Sequence, residues 1–261
     1  MDIDTLYDTV SSYVTSQQIK CCNETRVGPY NAFGKNICSD YFHNVRNTCL
    51  VYSFGSQMHF EFENSIWKDY RCEIHTFDPS LSTNGVKIPK GVNFHLIGLS
   101  DSDSMVPAPP TLRDFSTWEM KSLSSIRRSL NHKKRYIDIL KIDIEGWEWK
   151  ALPAAIQSRD LSYVRQICLE IHFGFQFKNV WPDNREMDYK QLSNTTWGDV
   201  TFANQIEVLR GLYDNGFRIF RWELVPGCRM YKSRNSQKII NVLVEISLVN
   251  IHREMDAIES R

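Results

Sequence analysis

The chain lacks several features that would settle its class at once. No apolar run approaches the roughly 18 residues needed to cross a bilayer. Lys plus Arg and Asp plus Glu both number 31, so no net charge draws the whole surface toward nucleic acid or an anionic membrane. Glycine (12) and proline (9) are too few among 261 residues for a collagen-like or low-complexity chain. The N-terminus, MDIDTLYDTV, is acidic and polar and does not read as a signal peptide. No two cysteines have C-x-x-C spacing, and no histidine follows at zinc-finger distance. There is no G-x-G-x-x-G after a strand. What is left is an ordinary globular composition, long enough to bury a core without a metal or disulfide staple.

Seven cysteines are present. Cys49, Cys72 and Cys168 lie in apolar runs and are expected as buried thiols. Cys21, Cys22 and Cys38 sit in polar sequence and can form a disulfide in an oxidising compartment. Two glycosylation triplets, Asn23-Glu24-Thr25 and Asn194-Thr195-Thr196, keep a Golgi or secretory lumen open. The N-terminus would then have been removed; otherwise the expectation is cytoplasmic. The basic run Arg127-Arg128 and Lys133-Lys134-Arg135 is expected as a solvated face, so nucleic acid is not an expected partner.

Hydrophobic periodicity predicts a helix over 2–19, with Ile3, Leu6, Tyr7, Val10 and Tyr13 on one stripe. Residues 21–47 read as loop. Short apolar strands then alternate with helices: strands at 49–55, 72–79, 92–99, 136–143 and 164–172, helices near 60–70, 122–132 and 147–157. Residues 101–114 read as loop. After a long connection at 174–200 come a helix at 202–215 and strands at 217–224 and 239–249. The last two are joined by a loop without a crossover helix and should pair antiparallel. The fold class expected is α/β: a Rossmann-like, seven-stranded, mostly parallel sheet with an antiparallel last strand and helices on both faces.

In such a sheet ligands bind beyond the carboxyl ends of the strands. Gly55 ends the first strand, where a glycine lets backbone approach a ligand. Asp78 ends the second, at the distance from Gly55 that suits an acceptor for ribose hydroxyls. Leu99-Ser100-Asp101 ends the third, where a base could lie against Leu99 and bond Asp101. Without a glycine-rich pyrophosphate turn, a phosphate-free nucleoside cofactor, S-adenosyl-L-methionine, suits this arrangement better than NAD.

The fourth strand carries a resemblance. Asp138-Ile139-Leu140-Lys141-Ile142-Asp143-Ile144-Glu145-Gly146-Trp147-Glu148 is similar to the D-x-x-K-x-D-x-E-G-x-E signature of FkbM-type S-adenosylmethionine-dependent methyltransferases. Val51-Tyr52-Ser53-Phe54-Gly55, Phe62-Glu63, Phe77-Asp78-Pro79 and Leu169-Glu170-Ile171-His172 resemble an animal, methyltransferase-like branch. The likeness covers about residues 20 to 250, and the first turn, Ser-Phe-Gly-Ser, is poorer in glycine than in bacterial members. It implies O-methylation of a hydroxyl on a sugar or natural product. Gly55 and Asp78 then carry over as cofactor-binding positions, with Ser53, Phe54, Pro79, Leu99, Ser100 and Asp101 beside them. Asp143 would stand between methionine and acceptor. Residues 48–261 would form the methyltransferase domain, and 1–47 an N-terminal helix and loop extension.

Methyl transfer to a hydroxyl is an in-line displacement that needs an aligned nucleophile and a way to remove its proton. Alternation puts Asp143 with Glu145, and Glu170 with His172, on one face of their strands. If the two strands adjoin, the four groups converge. His172 is the expected general base, given its near-neutral pKa. Alternatively Asp143, Glu170 and His172 can hold a divalent cation that lowers the hydroxyl pKa. A plainer reading makes Glu145 a helix N-terminal acid and leaves Glu148 in solvent or paired with Lys150 or Arg159. The aromatics Phe175, Phe177, Trp181, Tyr189 and Trp197 suit either a sugar face or a cap on the sheet. The expected partner is a sugar or small-molecule hydroxyl acceptor. The alternatives are a methyltransferase of protein, nucleic acid or another small molecule, and a catalytically inactive binding module on the same fold.

Overall fold

A computed structural model describes residues 3–31, 33–42, 47–80, 87–108, 117–173, 200–225, 230–232, 239–241 and 243–252. The first elements are α1 (Ile3–Val14), β1 (Glu24–Val27), β2 (Lys35–Cys38), β3 (Leu50–Phe54), α2 (Glu61–Tyr70) and β4 (Glu73–Phe77). Then follow β5 (Val92–His95), β6 (Gly98–Leu99), β7 (Ser104–Pro107), β8 (Thr117–Lys121), α3 (Leu123–Ser129) and β9 (Ile137–Ile142). The last are α4 (Glu148–Gln157), β10 (Val164–His172), α5 (Phe202–Asp214), β11 (Phe217–Leu224), β12 (Met230–Lys232), β13 (Ile239–Asn241) and β14 (Leu243–Asn250).

Seven strands make the central sheet in the order β11-β14-β10-β9-β3-β4-β5. β5, β4, β3, β9 and β10 run parallel, and β14 is inserted antiparallel between β10 and β11. The expected α/β class therefore holds. β3 and β9 sit at the centre, so both their faces are buried and their sequences are mostly apolar, with Ser53, Asp138 and Lys141 as buried polar exceptions. Alternation sends Leu50, Tyr52 and Phe54 to one face, where they pack with α1, α3, α4 and α5 through Val10, Ile126, Leu152 and Leu212. Cys49 and Val51 go to the other, against Phe62 and Ile66 of α2 and Val27 and Ile37 of the N-terminal hairpin.

Several local expectations change. Residues 21–47, expected as loop, hold the antiparallel hairpin β1–β2. Its strands are mixed in polarity because Lys35 and Asn36 are buried for polar reasons. Within the expected loop at 101–114, β7 pairs with β8, and β8 with β6, as a separate three-stranded sheet. Leu99 thus belongs to that sheet rather than to β5. The expected last strand divides: β13 pairs with β12, while β14 enters the main sheet. Cys49 and Cys72, expected as thiols, are joined in a disulfide. Their strands are parallel neighbours in the register Leu50↔Glu73, which sets the two preceding Cα atoms 4.6 Å apart. Cys21 and Cys38 form the second disulfide, and Cys168 is a buried thiol as expected. Arg127, expected on a solvated face, is buried against Asp160 and the carbonyl of Lys133. No helix among the described residues is long and apolar enough to cross a membrane.

Candidate functional site

The carboxyl ends of β3, β4 and β9 meet the separate sheet β6-β8-β7 around a cavity of about 490 Å³. That size suits a small-molecule ligand. The turn after β3 is held from three sides. The Gly55 N–H donates to the carbonyl of Phe77 at 2.9 Å, and Lys141 Nζ donates to the carbonyl of Gly55 at 2.6 Å. Gly55 has φ +79°, and a Cβ there would stand 1.6 Å from the carbonyl oxygen of Asp143. The approach of two backbones by itself requires glycine here.

Asp78 is buried at the cavity edge. Its Oδ2 accepts from the backbone N–H groups of Ser56 and Gln57, both at 2.9 Å. Its Oδ1 accepts from the N–H of Ser80 at 3.0 Å and from the Ser80 hydroxyl. The carboxylate therefore folds the β3 turn as well as facing the cavity. The walls are mostly apolar: Phe54, Phe77, Pro79, Leu99, Trp118, Met120, Ile144 and Trp147. Trp118 and Met120 alternate inward from β8. The buried indole N–H of Trp118 has no acceptor among the described residues. Other expected cofactor positions do not line this cavity. The Ser53 hydroxyl donates to buried Glu63 of α2, whose pKa burial raises. The Ser100 hydroxyl donates to Asp101 Oδ1 at 3.0 Å, and Asp101 borders a shallow depression beside Ser122 and Ala154.

The acidic end of the cavity begins with Asp143 and Glu145. Glu145 adopts φ +57°, a sparsely populated conformation for a non-glycine residue. Gln57 Nε2 donates to its Oε1 at 3.3 Å. Partial burial pushes its pKa up to about 7, against the pull of His172. His172 and Glu170 lie behind, both buried. Glu148, expected in solvent, is fully buried at the start of α4 and holds His172 twice. Its Oε1 accepts the backbone N–H at 2.9 Å and Nδ1 at 3.0 Å. Its Oε2 accepts from the N–H of Gly146 at 2.8 Å. The other imidazole nitrogen, Nε2, lies 3.4 Å from Glu170 and 3.6 Å from Glu145. Burial opposes a charged imidazole, but these three carboxylates outweigh it and raise the His172 pKa well above its ordinary value. That shift favours the imidazolium form, which has no free lone pair with which to take a proton. Burial likewise opposes ionisation of Glu170, yet His172 and Lys35 pull its pKa down. Burial and Glu170 push Asp143 up.

Sequence reasoning missed Lys35 altogether. Its side chain, 2% exposed, reaches from β2 to Glu170 Oε2 at 3.5 Å and Asp143 Oδ2 at 3.6 Å, and pairs with Glu245 of β14. Despite burial, the three carboxylates raise its pKa above the usual lysine value. Nothing local in Gly34-Lys35-Asn36 marks this role. Glu148, by contrast, was the last acid of the D-x-E-G-x-E run. The expected divalent ligands Asp143, Glu170 and His172 do come together. They fit a metal poorly, because the ammonium of Lys35 already pairs with both carboxylates. The aromatic segment 174–199 lies outside the described residues.

A family model described as a methyltransferase domain matches residues 11–214. Among curated proteins, the chain is similar to probable methyltransferase-like protein 24 of Homo sapiens, 31% identical over 141 residues, and to its Rattus norvegicus counterpart at 32%. Each match covers 51% of this chain and 36% and 37% of the relatives, so it spans little more than a third of their length. Among solved structures, methyltransferase FkbM from Methylobacillus flagellatus aligns over 77% of this chain and 44% of its own, with a TM-score of 0.39 and 12% identity.

Proposed function

Since the chain belongs to the methyltransferase-domain family, whose model matches residues 11–214, we propose that it is an S-adenosylmethionine-dependent O-methyltransferase acting on a hydroxyl of a sugar or small molecule. The observation that carries this reading is the placement of Asp143 and Glu145 at one end of a mostly apolar cavity at the strand ends. The residues fit the cofactor. Leu99, Phe77 and Met120 offer an apolar bed for a base, and the unsatisfied Trp118 N–H calls for an acceptor. Asp78 can accept from a ribose hydroxyl in place of the Ser80 hydroxyl, the most easily exchanged of its four donors. When bound, the cofactor supplies an electrophilic methyl group.

The remaining work falls to the chain. Glu145, with a pKa of about 7, is matched to accept a hydroxyl proton near neutrality. Asp143 beside it orients the acceptor by hydrogen bonding. His172 and Glu170 are positioning residues behind these two, and the imidazolium keeps the neighbouring acids from repelling one another. We take residues 48–261 as the methyltransferase domain and 1–47 as an extension packed on it. Two disulfides suit an oxidising compartment such as a secretory lumen.

Calorimetric titration with S-adenosylhomocysteine tests the cofactor reading. Saturable binding to wild type, weakened about tenfold or more in Asp78→Ala, is expected for loss of a charge-assisted hydrogen bond. No binding by well-folded wild type would sink it. Transfer of labelled methyl to sugars but not to peptides or RNA would identify the acceptor class.

A further inference from the structure

We infer that the ammonium of Lys35 is the resident cation of the acidic cluster, standing where a divalent metal would otherwise bind. The site would then work without metal and be complete only with the N-terminal hairpin. This rests on reading the acidic end of the cavity as the acceptor side.

Lys35 Nζ faces carboxylates from three separate strand regions: Asp143 just beyond β9, Glu170 on β10 and Glu245 on β14. Three carboxylates around one point need a positive charge, because an uncompensated buried carboxylate is costly. A hard divalent cation could supply it through the same oxygens. Here an ammonium supplies it, with three donors and ion-pair distances of 3.5 and 3.6 Å to Glu170 and Asp143. The lysine is not free to withdraw. The N–H of Cys38 donates to Gln166 Oε1 at 2.8 Å, and Gln166 Nε2 donates to the carbonyl of Cys38 at 3.0 Å. This two-way clamp fixes β2 across β10. The nearby carbonyl of Asn36 accepts from the Cys168 thiol at 3.5 Å. The cluster thus has its cation built in covalently, through an element about a hundred or more residues away in sequence from each of its partners.

The structure gives this a direct test that needs no methyl acceptor. Mn²⁺ binding is followed by electron paramagnetic resonance on the full chain: wild type, Glu170→Gln, Lys35→Met, and Lys35→Met with Glu170→Gln. Circular dichroism checks that each is folded. Wild type should leave Mn²⁺ free at millimolar concentration. Lys35→Met should bind it stoichiometrically, and adding Glu170→Gln should abolish that binding. Wild-type binding that Glu170→Gln removes would overturn the proposal, since the ammonium would then not exclude a metal. A folded Lys35→Met that binds no Mn²⁺ would overturn it too. If Lys35→Met does not fold, Lys35→Gln is used with the same criteria, and the wild-type arm stands alone if neither folds. Titration with S-adenosylhomocysteine on the same samples reads the cofactor proposal separately. Its failure would leave the Mn²⁺ results interpretable, and the reverse also holds.

Discussion

The two sides of the cavity are assembled in opposite ways. On the proposed cofactor side, Asp78 folds the turn after β3 through residues 21 and 22 positions away, and the bonds are from backbone N–H groups to one carboxylate. On the acidic side, Lys35 is joined to Glu245 across 210 positions, and the bonds are between ionisable side chains. Neutral donors on a local turn can be satisfied one by one as the βαβ unit forms. A buried charge cluster has value only when all its members are present, and removing one exposes the rest to an unpaired state. The difference teaches that the acidic side should respond steeply and cooperatively to substitution, and the cofactor side more gradually.

The sharpest test of that contrast is Glu148→Ala. It removes the carboxylate that bonds both the backbone N–H and Nδ1 of His172. Breaking a buried ion pair costs about 3–5 kcal/mol, so urea denaturation should show a loss of that order. A loss below about 1 kcal/mol would mean that the acidic side is not the more cooperative one. Next comes removal of the Cys49–Cys72 crosslink by paired serine substitutions. It should cost about 2–4 kcal/mol and lower the melting temperature of the oxidised protein. Equal melting curves with and without reductant would show that the bond does not form in solution.

Gly55→Ala should follow, at about 1–3 kcal/mol, because its Cβ meets the Asp143 carbonyl at 1.6 Å and strains a positive φ. Since the carbonyl belongs to the acidic side, this substitution should also weaken S-adenosylhomocysteine binding. Unchanged affinity would separate the two sides of the cavity. The smallest expected effect is a pH dependence. Glu145 has a folded pKa of about 7, above the ordinary 4.5 of an unfolded chain. The native state therefore keeps a proton that the unfolded state has lost between those values, and stability falls as pH rises through that window. The carboxyl is partly exposed, so solvent screening keeps the drift small. Melting temperatures across pH for wild type and Glu145→Gln should differ in slope there; parallel curves would remove Glu145 as the titrating group.

Legibility followed the same division. The central strands could be read because buried parallel strands are mostly apolar, as Leu50–Phe54 and Ile137–Ile142 are. Gly55, Asp78, Leu99, Asp143 and Glu145 could be placed on the cavity because they sit at or just beyond strand ends. Ser53 could not: it lies one residue too early, and its alternation turns it to Glu63 on the opposite face. Asp101 could not either, because Gly98–Leu99 leaves β5 for another sheet and carries the chain away from the cavity. The charge of His172 could not be read from the sequence, because an ordinary pKa was expected there, whereas three carboxylates that surround it in space raise it.

The sequence by itself determined the α/β class, the order of its main strands and helices, and the resemblance carried by Asp138–Glu148. Those depend on periodicity and on spacing within a single strand–turn–helix unit, which are local quantities. Tertiary structure alone decided the hairpin that covers the sheet, the Cys49–Cys72 pairing, and the partners of Lys35, Glu148 and His172. These depend on which strands become neighbours and in what register. A lysine in a polar stretch looks like any surface lysine until β2 is laid across β10 and β14 and its ammonium has no water left to bind.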